Sequence, residues 1–422
     1  MMRRVWKRFW LLFSLLVVAI LLICFTVPCN RREKGASWTR CYKNCVLLGG
    51  FARGLIADSQ GNVYVSGSFT ACDFDPGWAL DWHLAPVNAF LVKYDENGKF
   101  QYSRTWADRS AYLIATTPTG EFFVRGTSRD AGCYVRKFNR EGVFLWAREW
   151  EANAMMIDAA CIDILGNLLI AGSLYKTLDI DPGASVDIVG AGQRSLFIVE
   201  LDGDGQFKSA NVWTAELVEG LENIACDDTG NVYVAGHKYE GPEAGSGEVY
   251  KAYVTKYGPN WSAIWTLTWG DYSSSYETYV AIDGTQNILV LGGFMFKTDL
   301  DPGPGTLMGS SQGPEDLFLV KVDPSGALVW GRTLGEAGSD APTGLLIDNH
   351  GAIYVWGHNS TSSQGLLYAL DRDGVLQWKK AGGQWHSQNL CALDNTGNLY
   401  IVQHSLFAES LSMIPTQRLP GL

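Results

Sequence analysis

The stretch Leu55–Gly67 reads LIADSQGNVYVSG, and it decides the fold because the chain repeats it. An apolar run leads to an Asp, two further residues, Gly-Asn, and then an alternating strand. Clear copies are CIDILGNLLIAG (161–172), IACDDTGNVYVAG (224–236) and CALDNTGNLYIV (391–402). Looser ones are IATTPTGEFFVRG (114–126), VAIDGTQNILVLG (280–292) and LLIDNHGAIYVWG (345–357). The marker residues Gly61, Gly120, Gly166, Gly230, Gln286, Gly351 and Gly397 number seven and stand 46 to 65 residues apart. Repeats of roughly 40–50 residues with several short strands each are the signature of propeller blades.

Turn chemistry explains the residue types. Asp at the start of a hairpin turn accepts backbone N–H groups two residues on, and Gly at its end takes positive φ. Asp58, Asp163, Asp227, Asp283, Asp348 and Asp394 hold the first position, with Thr117 in the odd copy. Six aspartates invite a catalytic or metal-ligating reading. Each belongs to its own local hairpin, which favours capping.

A second hairpin follows in each unit, as in LVKYDENGKFQY (91–102), YVRKFNREGVFLW (134–146) and FLVKVDPSGALVW (318–330). An aromatic stands after the turn at Tyr102, Trp146, Trp330 and Trp378, with Ser209 as the exception. Such rings could stack on a sugar, but regular recurrence favours packing between sheets. Each unit therefore makes a four-stranded antiparallel sheet. The seventh lacks a final strand, and GASWTRCYKNC (35–45) shares its W-x-R core with ALVWGRTLG (327–335). The expectation is an all-β, seven-bladed β-propeller over residues 37–414, closed by an N-terminal strand. A tail covers 415–422.

Residues 1–30 form a separate signal or anchor segment. Arg3, Arg4, Lys7 and Arg8 precede an uncharged run from Phe9 to Val27, long enough for one hydrophobic membrane-spanning helix. No A-x-A cleavage site follows. Cys29 opens a lipoprotein reading, although Pro28 stands where a lipobox wants a small residue. Helix, lipid and cleaved signal all export the body, to a periplasmic or cell-surface location. The 422 residues are 47% hydrophobic and carry a net charge of -11, with no Lys/Arg cluster in the body, which argues against nucleic acid as partner. Nine cysteines give no zinc spacing; Cys161, Cys226 and Cys391 lie in apolar runs and read as buried thiols.

The D-x-x-G-N-x-Y-V-x-G repeats, the later D-P-G loops and the V-K-[YV]-D-x-x-G strand pairs resemble the bacterial exported β-propeller repeat proteins of the SBBP type. That resemblance implies an extracytoplasmic, often surface-associated propeller, and it implies no single activity and no catalytic residues. YALDRDGVLQWKKAGG (368–383) also looks like a repeat of the pyrroloquinoline-quinone propellers. It stands alone and lacks the T-G step, so no cofactor is expected.

The chemistry-bearing feature is D-x-D-P-G, found as CDFDPG (72–77), LDIDPG (178–183) and TDLDPG (298–303). In an extended segment the paired carboxylates Asp73/Asp75, Asp179/Asp181 and Asp299/Asp301 would share a face and could serve Ca²⁺. Alternatively Asp-Pro-Gly makes a turn that Asp caps, with Phe74, Ile180 or Leu300 tucked inward. Asp202-Gly203-Asp204-Gly205 resembles a calcium loop but sits where the other units carry a hairpin turn. No H-x-x-x-H pair, G-x-S-x-G elbow or phosphate loop occurs.

Three functional readings follow. The first is a membrane-tethered binding or scaffolding propeller, its partner a protein or carbohydrate. It expects no buried ionisable cluster at the channel and a contact surface on insertions such as 239–251 and 303–316. The second is a polysaccharide-active hydrolase or lyase, which needs convergent carboxylates and a basic partner there. The third is a calcium-dependent adhesion module.

Overall fold

The computed structural model describes residues 38–41 and 51–415, apart from 76–80, 129, 131, 184–186, 191–193, 215–219, 243–247, 271–276, 383–390 and 405–408. The segment 1–30, with Cys29, and most of the 415–422 tail lie outside the described residues. No described helix is long and apolar enough to cross a membrane.

The strands pair into four-stranded antiparallel sheets. Six are each cut from a continuous stretch: 51–106, 110–150, 155–214, 220–269, 279–334 and 340–381. They are numbered first to sixth below. A further four-stranded sheet joins both chain ends, with Trp38–Cys41 beside Glu409–Pro415, then Asn398–His404 and Cys391–Leu393. Its register sets Trp38 opposite Met413 and Cys41 opposite Ser410. The inner strand of each sheet packs on the next, and Cys391–Leu393 meets both Phe51–Ala57 and Asp340–Ile347, so the cycle closes. The molecule is a β-propeller.

The repeated turn holds because Asp does several jobs at once. Asp58 Oδ1 accepts the backbone N–H groups of Gln60 and Asn62, each at 2.9 Å. Its Oδ2 accepts the Asn62 amide at 2.8 Å and the buried Tyr64 hydroxyl at 3.1 Å. Asp227 with Asn231 and Tyr233, and Asp394 with Asn398 and Tyr400, repeat the pattern. D-x-x-G-N-x-Y is thus one hydrogen-bonded unit. In the fifth sheet Gln286 replaces the turn Gly and still adopts φ 66, so the turn imposes the left-handed conformation.

Neighbouring sheets are joined by donors reaching forward. The outer strand of one sheet carries an aromatic and, two residues on, an Arg, and both reach the second hairpin turn of the next sheet. Trp146 Nε1 donates to the Gly203 carbonyl at 3.1 Å and Arg148 Nε to that of Gly205 at 2.6 Å. Tyr102 and Arg104 donate likewise to Arg140 and Gly142, and Arg332 to Gly374. The lysine of the V-K-x strand joins in: Lys93, Lys137 and Lys256 donate to Arg140, Gly203 and Pro324 at 2.9, 2.9 and 3.1 Å. The recurring aromatics are therefore packing residues. The calcium-like stretch 202–205 is one of the accepting turns, and Asp202 Oδ1 takes the N–H groups of Asp204 and Gln206.

The cysteine expectation needs correction. Cys161 and Cys226 are not separate thiols but a disulfide, with Cα atoms 6.2 Å apart. Each lies at the end of the inner strand of its sheet, Cys161 two residues and Cys226 one residue before the turn Asp, and the packing of the third sheet on the fourth brings them together. Cys72 is also disulfide-bonded, while Cys391 stays a buried thiol.

The latch makes a glycine test. A Cβ on Gly205, at φ 76, would sit 2.8 Å from the Trp146 ring, whereas one on Gly203 meets nothing within 4 Å. Gly205→Ala is expected to lower stability by roughly 1–3 kcal/mol, and Gly203→Ala to be near neutral, by urea denaturation.

Candidate functional site

The three D-x-D-P-G loops share one geometry. Asp73 Oδ1 accepts the Asp75 and Asp81 N–H groups at 3.3 and 3.0 Å. Asp299 Oδ1 accepts those of Asp301 and Leu307 at 3.0 and 2.8 Å, and Asp179 Oδ1 that of Asp187 at 2.9 Å. Asp181 and Asp301 accept the Gly183 and Gly303 N–H groups at 2.7 and 2.8 Å. Between the acids, Phe74 and Ile180 are fully buried and Leu300 nearly so. Their carbonyls accept Tyr94 Oη at 2.8 Å, Trp150 Nε1 at 3.0 Å and Trp269 Nε1 at 3.2 Å. Each pair of acids thus closes a loop over an apolar plug. The six carboxylates stay in three separate sheets. Among the described residues, no group of three or more His, Cys, Asp or Glu is arranged to hold a metal ion.

The channel has two zones. Its interior is a cavity of about 270 Å³ lined mainly by inner strands, including Leu55, Leu345 and Cys391, with Asn223 and Tyr279 among them and Trp356 added from the second strand of the sixth sheet. The Asn223 side chain accepts the Val280 N–H at 3.1 Å and ties two inner strands together.

The second zone lies where the inner strands begin. The residue five places before the turn acid is Arg53, Tyr112, Asp158, Glu222, Thr278 and Thr343 in the first to sixth sheets. Arg53, Asp158, Glu222 and Thr343 are each the extra residue of a β-bulge, just after the residue opposite the second strand's Gly. A bulge re-aims its side chain out of the pleat. The four bulges thus set side chains of unlike charge at equivalent places around one end of the channel.

Arg53 and Arg125 both stand over the Tyr112 ring, at 5.6 and 4.3 Å from its centre. Their Nε atoms are buried without a hydrogen-bond partner among the described residues. Glu222 Oε1 lies 2.7 Å from His237 Nδ1, with side chains 14% and 16% exposed, and its Oε2 is buried and unpartnered. Burial pushes the Glu222 carboxyl up to about 7; His237 opposes that rise, and Asp158 and Glu277 add to it. Burial likewise raises Asp158 to about 6 against the pull of Arg125 and Arg194. Glu277 is raised by burial too, although the Tyr279 hydroxyl donates to it at 3.2 Å. A channel free of buried ionisable groups was expected of a binding scaffold, and the bulges overturn that expectation. His237 and His358 each follow the second strand's Gly; His237 joins this cluster, and His358 lies opposite Ala341 in the sixth sheet.

No family model matches the chain. An uncharacterised WD repeat-containing protein, L264, of Acanthamoeba polyphaga mimivirus is 25% identical over 213 residues, covering 46% of this chain and 14% of that protein. The chain thus matches only a small part of that relative. Among solved structures, the WD40 domain of Neurospora crassa Pan2 aligns at 10% identity and a TM-score of 0.46, covering 87% of this chain and 90% of that one. A protein of unknown function from Bacteroides caccae aligns at 15% identity and a TM-score of 0.42, covering 69% and 89%. The propeller assignment rests on the sheet order, and these similarities assign no activity.

Two outcomes test this geometry. Asp299→Ala should lower stability by about 1–2 kcal/mol, as loss of a cap does, and Asp299→Asn by less, since one acceptor oxygen remains. Thermal melts of both against the parent check it. At the mouth, Glu222 keeps its proton in the fold after the unfolded chain has lost it. The stability this contributes is present below its ordinary 4.5 and is lost as pH rises through about 7. Folding stability should therefore fall by about 1–3 kcal/mol across that window, and Glu222→Gln should flatten the decline, as read from urea midpoints.

Proposed function

We propose that the chain is a membrane-tethered, extracytoplasmic β-propeller that binds a polar ligand at the mouth of its channel without transforming it. The observation that carries this reading is the ring of bulge residues above the apolar interior. Buried polar atoms normally find partners. Arg53 Nε, Arg125 Nε, Glu222 Oε2 and Thr343 Oγ1 have none among the described residues, and four such atoms at one opening are what a ligand with matching groups would satisfy.

Export is supported by three independent features. The run from Phe9 to Val27 follows four basic residues. The Cys161–Cys226 disulfide suits an oxidising compartment. The resemblance to SBBP-type repeats points the same way. Calcium-dependent adhesion through Asp73, Asp75, Asp179, Asp181, Asp299 and Asp301 has less support, because five of the six accept backbone N–H groups within their own loops.

The hydrolase or lyase reading has one observation in its favour: Asp158 and Glu222 both hold protons more firmly than ordinary carboxyls, with Arg125 close by. Two-carboxylate hydrolysis needs one acid kept protonated and the other kept ionised. Here burial shifts both the same way, which favours binding over hydrolysis.

The test uses the full-length chain on an array of immobilised polysaccharides and peptides, beside Glu222→Gln and Arg125→Gln. Retention that falls with either substitution, with the captured polymer intact by mass spectrometry, is the expected outcome. A shortened polymer would move the assignment to the hydrolase, and retention indifferent to both substitutions would remove the site from the mouth. The mass of the mature protein then reports whether Cys29 carries a lipid, residues 1–30 are cleaved, or the segment remains.

A further inference from the structure

We infer that the mouth contains a carboxylate-binding subsite, made by Arg53 and Arg125 on the ring of Tyr112, with Glu222 as acceptor for an O–H or N–H group of the same ligand. This rests on the mouth being the binding site and names the ligand chemistry it takes.

Other arginines of this chain are answered by groups of the fold itself. Arg136 also lies over aromatic rings, 4.2 Å from the centre of Tyr134, and it is answered by Asp108 at 2.6 Å. Arg104, Arg148 and Arg332 spend their Nε protons on carbonyls of the next sheet. These four arginines are thus satisfied by a carboxylate or a carbonyl. Arg53 and Arg125 differ: each keeps a buried, unpartnered Nε, and neither joins an ion pair among the described residues. Guanidinium groups do not lose their charge in proteins. Two of them over one tyrosine ring are therefore fixed like charges held near one another. An anion within reach of both relieves the repulsion and supplies the missing acceptors, and planar carboxylates suit the guanidinium fork.

Register brings the pair together. Arg53 is the bulge residue of the first sheet, and Tyr112 pairs with Arg125 across the two innermost strands of the second. Arg53 therefore arrives from one sheet and Arg125 from the next, on a ring rooted at the equivalent position. The carboxylate nearest in effect is Asp158, which is drawn down by Arg125 and by Arg194 yet makes no ion pair with Arg125 among the described residues. Farther round, Glu222 offers Oε2 as a buried acceptor while Oε1 is held by His237. A fitting ligand carries a carboxylate at one end and a hydroxyl or ammonium donor at the other. Acid sugars and free amino acids share that chemistry.

Isothermal titration and thermal shift of the full-length chain separate the sources. The probes are glucuronate against glucose, and glycine against glycinamide. The expected result is binding by at least one carboxylate, none by its neutral counterpart, and affinity roughly tenfold or more weaker in Arg53→Gln and Arg125→Gln. The arm that binds tells acid sugar from amino acid. If Arg125→Gln fails to fold, Arg125→Lys, which keeps the charge and loses the fork, gives the same reading. The inference falls if neither carboxylate binds at millimolar concentration, or if binding survives both arginine substitutions. Array retention that is lost in Glu222→Gln but kept in both arginine variants leaves the mouth as a binding site and removes only the carboxylate subsite. Retention untouched by all three removes both.

Discussion

The ring depends on donors that one sheet lends to the turn of the next. A four-stranded blade cannot bury both faces alone, and the carbonyls of a tight turn point outward. The aromatic and Arg of one outer strand fill those acceptors, as Trp146 and Arg148 do at Gly203 and Gly205. The lysine of the adjoining strand reaches the same turn, so three donors converge on the carbonyls of Gly203 and Gly205. This explains why the accepting turn wants Gly: the Trp146 ring lies where a side chain on Gly205 would be. Sheets joined in this way are fixed relative to their neighbours, the first to the second among them, and the mouth inherits that alignment. Arg53 and Tyr112 come from different sheets and meet only if the first and second sheets are held in register.

Much of the fold was legible because its decisive interactions are short in sequence. Asp58, Asn62 and Tyr64 lie within six positions and bond to one another. Residue types alone therefore mark the hairpin, and repetition marks the ring. Strand pairing between the chain ends was legible for a similar reason, since W-x-R recurs at Trp38 and Trp330. The disulfide was not, because Cys161 and Cys226 are 65 residues apart and each sits in a run that reads as core. Only the packing of the two inner strands brings these side chains together, at positions one residue out of step relative to their turns.

The candidate site was hidden by the feature that makes it useful. Positions five before the turn acid hold Arg, Tyr, Asp, Glu, Thr and Thr, so no shared residue type marks them. The turn positions repeat one chemistry because each sheet needs the same turn. The mouth positions differ because each sheet contributes a different group to one opening. Variation at a fixed offset within a repeat was the available signal, and it becomes visible once bulges show that the offset is structural. The D-x-D-P-G loops stand out in the sequence because repetition is what a structural device does in a ring, and their carboxylates largely serve backbone N–H groups.

The mouth is also where the fold tolerates cost. Buried carboxyls raised toward neutrality and guanidinium nitrogens without partners each oppose folding. Glu222 and Asp158 do so on adjacent inner strands, with Arg125 one sheet away. A scaffold under no other demand would replace such groups with the Leu and Ala that line the channel below. The Cys161–Cys226 link joins the far ends of those two strands, so the sheets carrying the least comfortable side chains are also covalently tied. The bulges set these side chains of unlike charge at equivalent places around one opening, where the proposed ligand would answer them.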